Sequence, residues 1–240
     1  MEINNDGNLE NGVTGNKTKL NKFLNSEVFL FFKDLMIIAI IVLVIRLYVV
    51  MPFQISGQSM YSSYYDKEFI IVDRISYKFG NPKRGDVIVF RPHVNENKEY
   101  FLKRIIGIPG DKLKIENGEV FIQAKGKTEF VKLEEPYLNS ENKGKTFVGL
   151  DDKAHIYELS DDEYFTIGDN RNHSTDSREC FGDCINRKEF VSKSDIIGKV
   201  FLDLGYFNLS KLKFINPGLG IETKPKFFSS EASYDYPELN

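Results

Sequence analysis

The hydrophobic and polar positions give the N-terminal part of the chain a character unlike the rest. Residues 1–27 carry Asn, Gly, Lys and Glu with no apolar periodicity, which predicts a disordered tail. Val28–Phe32 is then apolar, Lys33-Asp34 interrupts, and Leu35–Met51 is apolar except for Arg46. At ~1.5 Å per helical residue, Leu35–Phe53 matches the ~30 Å of a bilayer core, so residues 28–51 are expected to form a single transmembrane helix. Arg46 falls near the end of that run, where its side chain can reach the headgroups. A cleaved leader is the alternative. Against it, the apolar run is long, a long polar segment precedes it, and no A-x-A-like site follows. Lys17, Lys19, Lys22 and Lys33 lie on its N-terminal side, whereas Leu47–Asp66 has no Lys or Arg. That asymmetry predicts a cytoplasmic N-terminus, with everything after Met51 on the far side.

Beyond Met51 the pattern shortens to strand-like alternation. Phe69–Arg74, Asp86–Arg91 and Tyr100–Ile108 read as strands, separated by turn residues such as Asn81-Pro82 and Arg84-Gly85. Asp111–Gln123 reads as a hairpin: Lys112–Ile115 alternates, Asn117-Gly118 suits a type I′ turn, and Val120–Ile122 returns. Tyr164–Gly168 and Ile196–Leu202 resume the strand pattern. The fold expected is mainly β, a β-rich domain over residues 52–216 behind the helix. The more polar residues 124–163 are expected to be an inserted, variable subdomain, and residues 217–240 a loose tail.

Composition narrows the function more than the fold. The net charge of −3 gives no nucleic-acid footprint. Trp is absent while Phe and Tyr number 20 and 12, which suits β-structure. Two cysteines, Cys180 and Cys184, are too few for a disulfide framework, and no phosphate-binding glycine motif stands between a strand and a helix.

Three features could carry chemistry. Ser56-Gly57-Gln58-Ser59-Met60 is a small-residue loop a few residues past the apolar run. On the strand Tyr100–Ile108, alternation puts Phe101, Lys103 and Ile105 on one face, so Lys103 sits between two large apolar neighbours. Burial there disfavours the charged amine. Bringing a lysine from about 10.4 to the ~7–8 of a useful general base takes about 4 kcal/mol of desolvation. The alternative is a strand-edge lysine whose stem covers apolar surface while its amine reaches water. Third, Gly168–Arg178 (GDNRNHSTDSR) follows a strand and reads as a structured turn in which Asp and Ser side chains tie down the backbone.

These segments, with Arg84–Phe90 (RGDVIVF) and Lys103–Asp111 (KRIIGIPGD), occur in the order of the motifs of the bacterial type I signal peptidases, which the stretch Val28–Leu204 resembles. Gly198-Lys199-Val200 fits that family's final strand. The resemblance implies a serine endopeptidase of the plasma membrane, with its N-terminus cytoplasmic and its catalytic domain extracytoplasmic, that removes signal peptides from secreted precursors. It implies Ser59 as nucleophile and Lys103 as general base, with no metal or cofactor. Ser174 would hydrogen-bond the Lys103 amine, and Asp169–Arg104 and Asp176–Arg178 would be supporting ion pairs. The Ser59 N–H and a second donor would meet the oxyanion. The partners implied are precursors with small residues at the first and third positions before the cut, and the lipid bilayer.

The chain departs from the family pattern at Ser62, where many members have Pro, and at Asn172 and His173. At Gly57 some members carry a serine that serves the oxyanion, so here only backbone could donate. Cys180 and Cys184 could form a disulfide closing a very short loop, remain free, or join a histidine at a metal. Two other functions compete with cleavage of signal peptides: a self-cleaving Ser–Lys peptidase of the repressor type, and an inactive membrane-tethered binding module.

Overall fold

The computed structural model describes residues 26–93, 99–149, 153–208, 212–215, 226–227 and 233–239. Most of the expected disordered tail lies outside the described residues; its last two, Ser26 and Glu27, open a helix. Ser26 caps it by accepting the Phe29 N–H at 3.2 Å.

Helix α1 (Glu27–Val44) buries none of its residues and is apolar around its circumference after Asp34. It ends earlier than expected. Ile45–Val49 forms one π turn, and Val50–Gln54 is already a β-strand. No helix among the described residues is long and apolar enough to cross a membrane. The helix stops short of the expected 28–51 span for a local reason at its C-terminal end. Pro52 cannot supply a helical N–H and disfavours helix at Met51, whereas it is tolerated on an edge strand.

The segment up to Tyr48 and the unit from Val49 onward are separate compact units. The second unit is β-rich, with strands β1 (Val50–Gln54), β2 (Phe69–Asp73), β3 (Val87–Phe90) and β4 (Phe101–Gly107). The hairpin β5 (Lys112–Glu116) and β6 (Glu119–Gln123) follows, then β7 (Val131–Lys132), β8 (His155–Glu158), β9 (Glu163–Ile167) and β10 (Val191–Ser192). The long strand β11 (Ile196–Asn208) is joined by the short strands β12 (Lys213–Ile215) and β13 (Lys226–Phe227).

Two antiparallel sheets result. The larger runs β1-β2-β11-β3-β4-β9-β10, and the smaller β7-β6-β5-β8. The hairpin forms as its sequence dictates: Asn117 and Gly118 take φ of 52° and 76°, and Glu116 faces Glu119 across the turn. Residues 124–163, expected as an inserted subdomain, contribute to the smaller sheet and its core. Their strands β7 and β8 flank that hairpin, and Leu133 and Leu159 join Leu113, Ile115, Val120, Phe165 and Ile167 in one buried cluster. Not all of residues 217–240 is loose, because Ser233–Leu239 packs on the β-rich unit with Tyr236 only 4% exposed. Aperiodic sequence hides this, because two or three aromatic anchors suffice to hold a short segment.

Candidate active site

The site forms where the loop after β1 meets the start of β4 and the turn after β9. Met60 anchors the loop: it is buried among Ile55, Ile70, Val72 and Val89, a burial contributing about 1.5–3 kcal/mol. Its neighbour Ser59 is thereby held, and the Ser59 carbonyl accepts the Asn170 N–H at 3.0 Å. Asn170 Nδ2 also donates to the Gln58 carbonyl at 3.0 Å, so one asparagine ties the turn after β9 to two successive peptides of the loop.

Lys103 stands on β4 opposite Ile88 of β3 and is 3% exposed. Its amine donates to Ser59 Oγ at 2.8 Å and to the Leu102 carbonyl at 3.0 Å, and lies 5.1 Å from the centre of the Phe101 ring. Burial pulls its pKa down from the ordinary 10.5 to about 8, against the raising influence of Asp176 and Asp169. No carboxylate is in ion-pair contact with the amine among the described residues. A lysine in this setting loses its proton readily near neutral pH and faces a hydroxyl at hydrogen-bonding distance.

Two buried ion pairs brace it. Arg104, next to Lys103, donates to both Asp169 oxygens at 3.0 and 2.7 Å and to the Gly85 carbonyl at 2.9 Å. Burial works against the Arg104 charge, but Asp169 more than restores it. Ser63 Oγ adds a third hydrogen bond to Asp169, at 2.6 Å. Arg178 grips Asp176 through two bonds of 2.9 Å each, and Asp176 accepts the Gly168 N–H at 3.0 Å. Burial alone would raise the Asp176 carboxyl, but Arg178 and these hydrogen bonds hold it below the usual range.

Gly168 must be glycine because of what surrounds it. A Cβ there would lie 2.1 Å from Ser174 Oγ and 2.4 Å from the Ser59 carbonyl oxygen. Ser174 does not hydrogen-bond Lys103 in this geometry. Its Oγ is buried beside Asp176, whose carboxyl it helps to lower, with no partner at good hydrogen-bond geometry. Gly57 takes a φ of 102°, and its N–H is committed to Asp66 Oδ1 at 2.8 Å. That amide is therefore occupied rather than open to a substrate oxygen. Cys180 and Cys184 are joined in a disulfide, which removes both from any metal-ligand set.

Ser59 and Lys103 open onto a cleft of about 590 Å³. Phe53, Ile55, Ile70, Val89, Tyr100 and Leu102 give it apolar walls, and His173 and Thr175 reach it from the turn. Strand β9 ends at Ile167 opposite Arg104, so Phe101 and Leu102 have a strand partner on the β3 side alone among the described residues. That is an open sheet edge beside Ser59.

Sequence reasoning passed over Asn170, Ser63 and Arg171, although all three lie in or beside the segments it singled out. Arg171 is buried, donates to the Gly168 carbonyl through Nε at 3.1 Å, and forms a pair with Glu135 at 2.6 Å. The signal was present in an arginine inside a turn rich in small and polar residues.

Residues 28–204 match the family described as Signal peptidase, peptidase S26. Signal peptidase I P of Bacillus subtilis subsp. natto is 33% identical over 184 residues, covering 75% of this chain and 91% of that protein. Signal peptidase I U of Bacillus subtilis (strain 168) is 35% identical over 186 residues, covering 74% and 89%. Signal peptidase IB of Staphylococcus aureus (strain MRSA252) is 32% identical over 188 residues, again covering 74% and 89%.

Proposed function

Since the chain belongs to the signal peptidases of the peptidase S26 family, serine endopeptidases that remove signal peptides, we propose that Ser59 is its nucleophile and Lys103 the base. The observation that carries this assignment is the 2.8 Å contact between Lys103 Nζ and Ser59 Oγ, with the amine buried.

Neutral Lys103 takes the Ser59 proton as Oγ attacks the scissile carbonyl carbon, giving a tetrahedral oxyanion. The Ser59 N–H and a second donor stabilise that oxygen. Collapse breaks the C–N bond, and the Lys103 ammonium passes the proton to the leaving amine. Lys103, neutral again, deprotonates a water that hydrolyses the acyl-enzyme. Arg104–Asp169 and Arg178–Asp176 hold the surrounding backbone, and Ser174 supports the turn from beside Asp176. The precursor binds extended along the open edge of Phe101-Leu102, its small side chains entering the apolar cleft.

The apolar helix is the bilayer anchor in this reading, with the N-terminus cytoplasmic and the peptidase unit outside. Support comes from its uninterrupted apolar surface after Asp34 and from the 3.4 Å pairing of Lys33 with Asp34, which offsets two of its charges. An inactive binding module finds no support, because the relatives are named as peptidases and Ser59 touches Lys103. Ser59→Ala and Lys103→Ala in the detergent-solubilised full chain should each abolish cleavage of an Ala-x-Ala precursor while the fold survives. Full activity in either would refute the assignment.

A further inference from the structure

Ser233–Leu239 lies beyond the residues 28–204 that the family covers, yet it is fastened to the groups behind the Ser–Lys pair. At one end Ser233 Oγ donates to Asp86 at 2.5 Å and the Tyr234 N–H donates to the Gly85 carbonyl at 3.2 Å. The approach is so close that a Cβ on Gly85 would fall 1.8 Å from the Tyr234 carbonyl oxygen. The same Gly85 carbonyl accepts from Arg104.

At the other end Glu238 accepts the Glu134 N–H at 2.9 Å, and the Tyr236 and Tyr137 hydroxyls lie 2.7 Å apart. Tyr137 donates its proton to Glu135 Oε1 at 2.7 Å, so Tyr236 must be the donor in the phenol pair. The chain of hydrogen bonds runs on from Glu135 to Arg171 and from Arg171 to the Gly168 carbonyl. Arg104 stacks on the Tyr137 ring at 4.0 Å. Burial, reinforced by Glu135, raises both phenols well above their ordinary value, so both remain donors at pH values where Lys103 is neutral.

Arg104 and Arg171 thus lean on Tyr137 and Glu135 respectively, and one tail tyrosine is hydrogen-bonded to that pair. We propose that the C-terminal segment is an intramolecular strap and that Tyr236 is a positioning residue for signal-peptide cleavage, acting through Tyr137 and Glu135 on Arg104 and Arg171. This rests on the assignment of Lys103 as the base. A strap that served stability alone would leave the chemical step unchanged once the protein is folded. A positioning strap would not, because a looser Gly168–Arg178 turn admits water to the lysine and returns its pKa toward 10.5.

The test uses the full chain in detergent and compares wild type, Tyr236→Phe and a chain ending before Ser233. Cleavage of an Ala-x-Ala precursor is measured as kcat and KM across pH 6–10, with unfolding followed on the same samples. Tyr236→Phe keeps the ring and removes only the donor. It should lower kcat about tenfold at pH 7 with KM nearly unchanged, and move the rising limb of the kcat profile to higher pH. The shortened chain should show the same displacement. A folded Tyr236→Phe protein with wild-type kcat and an unmoved limb overturns the proposal, even where its stability falls. Should the shortened chain fail to fold, Tyr137→Phe replaces it, with the same two outcomes. Cleavage that persists in Lys103→Ala would instead refute the base assignment, which is a separate result.

Discussion

The burial of Lys103 makes a prediction about stability that can be checked without any substrate. Burial lowers its pKa from 10.5 to about 8, and the side chain is 3% exposed. At 1.36 kcal/mol per pKa unit, keeping the amine charged in the fold costs about 3 kcal/mol. Below pH 8 the lysine is charged in both folded and unfolded chains, so the full cost applies. Between about 8 and 10.5 the folded protein is neutral there while the unfolded chain still binds a proton, and stability climbs with pH. Above 10.5 the cost is gone. Lys103→Met removes the charge but also the hydrogen bonds to Ser59 Oγ and Leu102 O, each contributing about 0.5–1.5 kcal/mol. The variant should therefore be more stable than wild type by about 1–2 kcal/mol at pH 7, and the advantage should vanish or reverse by pH 10.5. Urea unfolding of both full chains in detergent, at intervals from pH 6 to 10.5, reads the difference directly. A variant that is less stable at pH 7, or a gap that does not change with pH, would refute the buried-amine argument.

The same titration should appear in catalysis as a kcat/KM that rises with pH to a limb near 8, with about a tenth of the lysine neutral at pH 7. Gly168→Ala should cut cleavage by at least about a hundredfold, because its methyl would sit 2.4 Å from the Ser59 carbonyl oxygen and force the Ser59 loop away; wild-type kcat in that variant would contradict the packing. For the anchor, membranes washed with alkaline carbonate should retain the full chain and release one that begins at Val49. Release of the full chain would remove the helix from the bilayer.

Local rules made some of this legible in the sequence and long-range packing hid the rest. Asn117-Gly118 specified its hairpin because the two positive φ angles of the turn fall on adjacent residues that adopt them readily. Lys103 could be placed on an apolar strand face, but its burial depends on the loop from Ser59 and the turn from Gly168, and neither is near in sequence. The end of the helix was marked by Pro52, which hydropathy counting overlooks because proline is uncharged. The polarity of residues 124–163 gives no hint of what they bury. Glu135 and Arg171 are buried and satisfied by each other. Tyr236 carries no local signal at all; its importance comes from Tyr137, 99 residues away.

The order of strands in the larger sheet also bears on when Ser59 and Lys103 can meet. β1 and β2, which lead into and out of the Ser59 loop, are separated by β11 from β3 and from β4, which carries Lys103. That strand pairs Phe69 with Gly205 on one side and Ile88 with Lys199 on the other. A ribosome has therefore made the serine and the lysine long before it makes the strand that brings their supports into one sheet. A growing chain that has not reached Ile196 holds Ser59 and Lys103 without the strand that unites their supports. A strand that contributes no side chain to the contact between Lys103 and Ser59 thus decides when that contact can form.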